Sequence, residues 1–163
     1  RLAPLVFLRP GELRTAKWSD IDLNEATWSF VVRKTKTPLI IPLASQAITI
    51  LQELEPVSGR YEHVFPNGRS SLRPMSENAV LAALRRLGIP KEEMCGHGFR
   101  ASARTMLDEQ LGFRPEVIEH QLAHKVKDPL GRAYNRTAFL EERREMMQRW
   151  ADYIDELRGY GNN

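Results

Sequence analysis

Apolar and polar positions follow two periods along this chain. Trp28, Phe30 and Val32 recur at two-residue spacing, which predicts a strand over 28–32. Leu39-Ile40-Ile41 predicts a second strand, and Pro42 confines it to a sheet edge or a strand end. The polar stretch Lys34-Thr35-Lys36-Thr37 between them reads as a turn. Together these segments predict a small hairpin with Lys34 near its bend.

Elsewhere the pattern is helical. Pro10 suits a first helical turn, so a short helix is expected over 10–18, ended by Ser19-Asp20. Ser45 is a candidate cap for a helix reaching about residue 55. Residues 56–74 are rich in Gly, Pro, Ser and Asn and read as a loop, with a brief extended piece at 63–65. Ser76 would cap a further helix that Gly88 ends, with Leu81, Leu84 and Leu87 facing inward. A helix is expected over 99–111, broken at Gly112, and another from Pro115 to about residue 123. Asp128-Pro129 would start a short helix holding Tyr134. The last helix, about 138–157, carries Leu140, Met147, Trp150, Ile154 and Leu157 at helical spacing, most simply as core. No repeat, low-complexity tract or linker interrupts the chain. The expected fold is one domain, mainly α with a small antiparallel β-sheet.

Composition adds limits. A chain of 163 residues with 42% hydrophobic content can bury one core. The net charge of +3 does not by itself announce nucleic-acid binding. Local patterning says more, because Arg9, Arg14, Arg33, Lys34, Lys36, Arg100 and Arg104 cluster around the motifs described below. Cys95 is the sole cysteine, so an internal disulfide is excluded and an inert loop thiol in a reducing cytoplasm is expected. No run of about 18 apolar residues predicts a membrane span, and no secretory signal is visible. The chain begins Arg1-Leu2-Ala3-Pro4, and the apolar 5–8 runs straight into a motif. A domain cut from a longer protein is therefore expected.

The chemistry lies in the run His97-Gly98-Phe99-Arg100, then Leu122-Ala123-His124, then Ala133-Tyr134. Cleaving a phosphodiester takes a nucleophile, stabilisation of charge on the non-bridging oxygens, and a proton for the leaving oxygen. Arginine meets the second need with two parallel N–H donors and a permanent charge. Arg9 and Arg100 could clamp both oxygens without a metal, each worth roughly 3–4 kcal/mol in a transition state. His97 and Arg100 lie three apart at a helix start and so face the same way, beside the positive helix end. Lys34 at a hairpin bend could reach a phosphate and give up a proton. Tyrosine ionises only near pH ~10, so Tyr134 needs neighbouring cations or a base to attack.

Other residues read more plainly. His120 and His124 are four apart, a spacing seen in zinc sites, but no third ligand accompanies them, so no metal is expected. His120 reads as a surface residue and His63 as structural or exposed. The charged run 141–145 reads as a solvated face with cross-turn ion pairs.

At these boxes the chain resembles the catalytic domain of tyrosine recombinases, the phage-integrase family. Arg9-Pro10-Gly11-Glu12-Leu13 is similar to its first arginine box, and Lys17-Trp18-Ser19-Asp20-Ile21-Asp22 to a run that follows it. Lys34 lies eight residues before Pro42-Leu43, as the family's hairpin lysine does. His97-Gly98-Phe99-Arg100 resembles the His-x-x-Arg box. Leu122-Ala123-His124 resembles the Leu-Gly-His box with alanine for glycine, and Tyr134 falls ten residues later. The Arg-Pro-Gly-Glu-Leu and Leu-Ala-His forms, with Glu-Glu-Arg-Arg-Glu-Met-Met at 141–147, look most like integrases of satellite phages and genomic islands.

The resemblance implies the integrase catalytic-domain fold, with the family's upstream DNA-binding domains absent and the first helix truncated. It implies that Tyr134 forms a 3′-phosphotyrosine link while the 5′-hydroxyl leaves. Lys34 would be the proton donor, Arg9 and Arg100 would hold the phosphate, and His124 would hydrogen-bond it. His97 would accept or position the tyrosine proton, and Glu12 would orient Arg9 or the active-site backbone. No cofactor is implied. The implied partners are double-stranded DNA attachment sites, a homotetramer on DNA (the fragment alone being monomeric), an excisionase and a host DNA-bending protein. A bacterial cytoplasm, at the nucleoid, is the implied location. The C-terminal helix or its tail would have docking on a neighbouring subunit as a second use. Rival readings are a type IB topoisomerase, a non-catalytic DNA-binding regulator and a metal-dependent nuclease.

Overall fold

The computed structural model describes residues 1–32, 35–124 and 138–160. The expected short helix around Tyr134, and Lys34 at its bend, lie outside the described residues. Helices α1 (Ala3–Val6) and α2 (Pro10–Arg14) open the chain, followed by a single tight turn, Trp18–Asp20. Strands β1 (Ile21–Asp22), β2 (Thr27–Val32) and β3 (Thr37–Pro42) come next, then α3 (Ser45–Ser58) and the strand pair β4 (Pro66–Asn67) and β5 (Ser70–Pro74). Helices α4 (Ala79–Arg86), α5 (Gly98–Glu109), α6 (Pro115–Gln121) and α7 (Leu140–Tyr160) complete the order.

The sheet β1-β2-β3 is antiparallel, with Trp28 opposite Ile41 and Phe30 opposite Leu39. The period-two pattern puts Trp28, Val32, Leu39 and Ile41 on one buried face. β3 is an edge strand, so Pro38 and Pro42 forfeit no hydrogen bond that a further strand would need. The core continues through Leu5, Val6 and Phe7 to Leu107, Val117 and Ile118, and to Met146, Met147 and Trp150 of α7. Trp150 ties the chain's start to its end: its ring meets Phe7 edge-on at 5.6 Å, and its indole N–H donates to the Pro4 carbonyl at 2.8 Å.

Several expectations change. The 10–18 helix stops at Arg14. The 56–74 loop is not structureless: α3 passes through Pro56, which lies in its exposed last turn and so sacrifices little backbone bonding, and ends at buried Ser58. Ser58 Oγ there donates to the Val64 carbonyl at 2.8 Å. Residues 66–74 then form a second hairpin, turned by Asn67, whose side chain accepts the Arg69 N–H at 2.9 Å. Ser45 is the first residue inside α3 rather than its cap; its N–H is taken by Gln148 Oε1 of α7 at 2.9 Å. Ser76 makes no capping bond, and α4 starts after Asn78. Leu84 is buried but Leu87 is exposed, because α4 ends at Arg86 and Gly88 takes φ +81. Leu157 is likewise exposed, while Met146, absent from the expected stripe, is fully buried.

Candidate phosphate-binding site

Arg9 precedes α2 in an extended conformation, at the position where helix N–H groups lack partners. Glu12, one turn on and buried, fills that gap. Its Oε2 accepts the Arg9 backbone N–H at 3.0 Å and its Oε1 accepts the Arg9 guanidinium at 3.1 Å. One carboxylate thus fixes both the backbone and the side chain of Arg9.

Arg100 projects from the first turn of α5 and is buried. Its Nη1 donates to the Phe7 carbonyl, and its Nη2 donates to the Leu122 carbonyl at 2.6 Å and lies 3.3 Å from His124 Nε2. Phe7 offers its carbonyl because α1 ends there in a left-handed turn, φ 53. Burial, then repulsion from Arg9, pushes the Arg100 guanidinium down to about 10, against the pull of Glu12 and Glu119. It therefore stays charged at neutral pH. Two cations held together at partial burial form a place where an anion is favoured.

His124 reaches Arg100 through the end of α6. The Ala123 N–H donates to the His120 carbonyl at 3.0 Å and the His124 N–H to the Glu119 carbonyl at 3.0 Å, with Ala123 at φ 50. This paired closure of a helix end needs a left-handed residue, the conformation glycine adopts most readily. The alanine of the Leu-Ala-His box therefore sits where the glycine of the related box is physically expected. Folding back this way, His124 sets its Nδ1 2.5 Å from Glu119 Oε2.

His97 precedes α5 with its ring exposed, one turn ahead of Arg100. Its loop is pressed onto α2: a Cβ added at Gly96 would stand 2.7 Å from Pro10 Cγ. Arg85 braces the same loop through the carbonyls of Ile89 at 2.6 Å and Met94 at 3.0 Å. The structure thus brings Arg9, Glu12, Arg100 and His124 together and packs the His97 loop against α2. Lys34 and Tyr134 lie outside the described residues; Val32 and Thr35 flank the first, and His124 and Ala138 bracket the second.

One histidine differs from expectation. His120 is buried, not at the surface, with its Nδ1 3.2 Å from Arg143 Nη1 and its ring edge-on to Phe139. Arg143 itself is fully buried, so 141–145 is not simply a solvated face; Glu141 does pair with Arg144 at 3.6 Å. His120 and His124 point to different surroundings, and no group of three metal-ligating side chains occurs among the described residues. A cleft of about 540 Å³ between α2 and β2 borders Glu12 but not Arg9, Arg100 or His124. The cationic cluster lies outside that cleft, with Arg100 buried, Arg9 partly exposed and His124 the most exposed of the three.

The profile described as the phage integrase family matches residues 2–141. The chain belongs to the phage integrase family. It is 39% identical to the integrase of Enterobacteria phage P4 over 95% of this chain and 39% of that protein. It is 43% identical to the prophage integrase IntZ of Escherichia coli K12 over 99% of this chain and 40% of that protein. The chain thus spans about two-fifths of the length of these curated relatives. The integrase from mycobacterium phage Brujita has the same fold, with a TM-score of 0.71 at 22% identity over 91% of this chain and 49% of that one. The fold is that of integrase catalytic domains.

Two residues escaped the sequence reading, Glu119 at this integrase-family site and Arg143 away from it. Glu119 is five residues before His124, a spacing that does not share a helix face; only the left-handed turn at Ala123 brings them together. Arg143 hides within a charged run, and nothing local marks it as buried.

Proposed function

We propose that this chain is the catalytic domain of a site-specific DNA recombinase of the prophage-integrase kind. The observation that carries the reading is the convergence of Arg9, Arg100 and His124, each held in place by a carboxylate or a backbone carbonyl. A scissile phosphate held there gains two guanidiniums and a ring nitrogen. Tyr134 attacks the phosphorus, its proton passing to His97 or solvent. The P–O5′ bond breaks, and Lys34 gives the leaving 5′-oxygen a proton. Reversal by the 5′-hydroxyl of a partner strand completes exchange, and the phosphotyrosine link conserves the bond energy. Family membership supports double-stranded DNA as partner, tetramer assembly on paired sites, excisionase and DNA-bending accessories, and action in the cytoplasm.

The test is recombination between two plasmid-borne junctions of the element that encodes the full-length protein. Exchange that requires both sites and Tyr134 is expected. Relaxation of a site-free supercoiled plasmid without exchange would favour the topoisomerase reading. Binding without either would favour an inert regulator, and abolition by chelator would favour a metal-dependent nuclease.

A further inference from the structure

We infer that Glu119 is a positioning residue that fixes the ring of His124 with Nδ1–H directed at its carboxylate, leaving Nε2 as the nitrogen offered to a phosphate. This rests on the proposed reading of the site. Four observations converge on it. Glu119 Oε2 is 2.5 Å from His124 Nδ1, a distance at which a proton lies between them. On the other side of the ring, Nε2 faces Arg100 Nη2 at 3.3 Å. An arginine nitrogen only donates, so Nε2 must present its lone pair, and the ring proton is on Nδ1. Glu119 is itself held: Arg104 Nε donates to its Oε1 at 3.0 Å, and Arg104 Nη1 is anchored by Asp108 at 2.9 Å. Finally, the helix-end closure at Ala123 leaves the His124 backbone bonded to the Glu119 carbonyl at 3.0 Å, so backbone and side chain are tied to one residue.

The arrangement has a consequence for charge. When a phosphate oxygen takes the place of Arg100 beside Nε2, that nitrogen must become a donor. The ring then accepts one proton from solvent, and the Glu119 carboxylate offsets the new charge. The charged groups around His124 are Glu119 on α6, Arg100 and Arg104 on α5, and, acting on Arg100 from α2, Arg9 and Glu12. Only Glu119 contacts the ring with negative charge among the described residues.

Two measurements test this on the full-length protein. The first is the nitrogen NMR signature of the His124 ring without DNA. Nδ1 protonation is expected in the wild type, and a mixture of the two ring tautomers in Glu119→Ala, where only the 3.3 Å contact with Arg100 still favours it. A wild-type ring protonated on Nε2 alone would overturn the inference. The second is the pH profile of covalent cleavage of a nicked duplex. Glu119→Ala should slow cleavage roughly 10–100-fold. Glu119→Gln keeps a hydrogen-bond acceptor but removes the charge. It should recover much of the rate at low pH, while its high-pH fall-off moves down by about 1 pH unit. A uniform loss across pH in Glu119→Gln would reduce Glu119 to a structural part, and no loss in either variant would remove it. If the wild type makes no adduct, the recombinase reading fails, while the ring assignment is still decided by the DNA-free spectrum.

Discussion

Replacing Arg143 with alanine should destabilise the fold by roughly 3–5 kcal/mol, the combined cost of stranded hydrogen-bond acceptors and lost side-chain volume. Arg143 is fully buried on α7 and reaches three other parts of the chain. Its Nε donates to Gln121 Oε1 at 2.8 Å, its Nη2 to the Ile40 carbonyl of β3, and its Nη1 to the Ala138 carbonyl at 3.4 Å, beside His120. Alanine strands the buried Gln121 acceptor and the partly buried Ile40 carbonyl, and an orphaned buried acceptor costs about 1–3 kcal/mol. The lost side-chain volume adds a cavity cost on top. For a domain of this size each kcal/mol lowers the melting temperature by about 2–4 °C, so a drop of roughly 6–20 °C is expected. Urea and thermal unfolding followed by circular dichroism measure the two quantities, with Arg143→Met as the companion. Methionine refills the stem without the donors, so it should recover part of the loss. A change below about 1 kcal/mol in Arg143→Ala would refute the view of Arg143 as a clamp between β3, α6 and the start of α7.

Three other outcomes follow from the geometry. Ala123→Gly removes a left-handed alanine that costs about 1–2 kcal/mol but adds unfolded-state freedom and loses a buried methyl, so its net stability change should stay within about 1 kcal/mol. Ala123→Val should lose clearly more, and equal urea midpoints for the two would deny the helix-end role. Gly96→Ala forces the His97 loop off Pro10, at about 1–3 kcal/mol and with slower cleavage; unchanged stability and rate would mean the loop does not depend on that contact. Because burial and Arg9 push Arg100 down to about 10, its charge works against folding below that pH and is relieved as pH rises toward the unfolded value. An anion beside it should offset that cost, so at neutral pH phosphate should raise the melting temperature more than chloride of equal ionic strength, and Arg100→Lys should blunt the difference. Equal effects of the two salts would argue against an anion site.

How far the sequence was legible depends on whether a feature is local. The β2–β3 hairpin followed from alternation and from Pro42, and α5 and α6 from their Gly112 and Pro115 punctuation. The β4–β5 hairpin did not, because its strands are short, polar and proline-flanked. Ser45 looked like a cap, but its N–H partner, Gln148, is 103 residues away, and no local rule anticipates it. His120 and Arg143 looked like surface groups because burying a charged or polar side chain depends on partners from β3 and α6. At the site, the ordered boxes named residues that the structure brings together in Arg9, Glu12, Arg100 and His124. Glu119 stayed invisible because its tie to His124 runs through a backbone turn rather than a helical spacing.

The central claim is metal-free attack by Tyr134 on a phosphate held by Arg9, Arg100 and His124. Covalent trapping tests it most directly. The full-length protein is mixed, in chelator, with a nicked attachment-site duplex from which the short released strand diffuses away, and the products are run on a denaturing gel. A protein–DNA band that disappears in Tyr134→Phe, while DNA binding persists, is the predicted result. Demonstrated binding with no band in the wild type, or a band that survives in Tyr134→Phe, would contradict it.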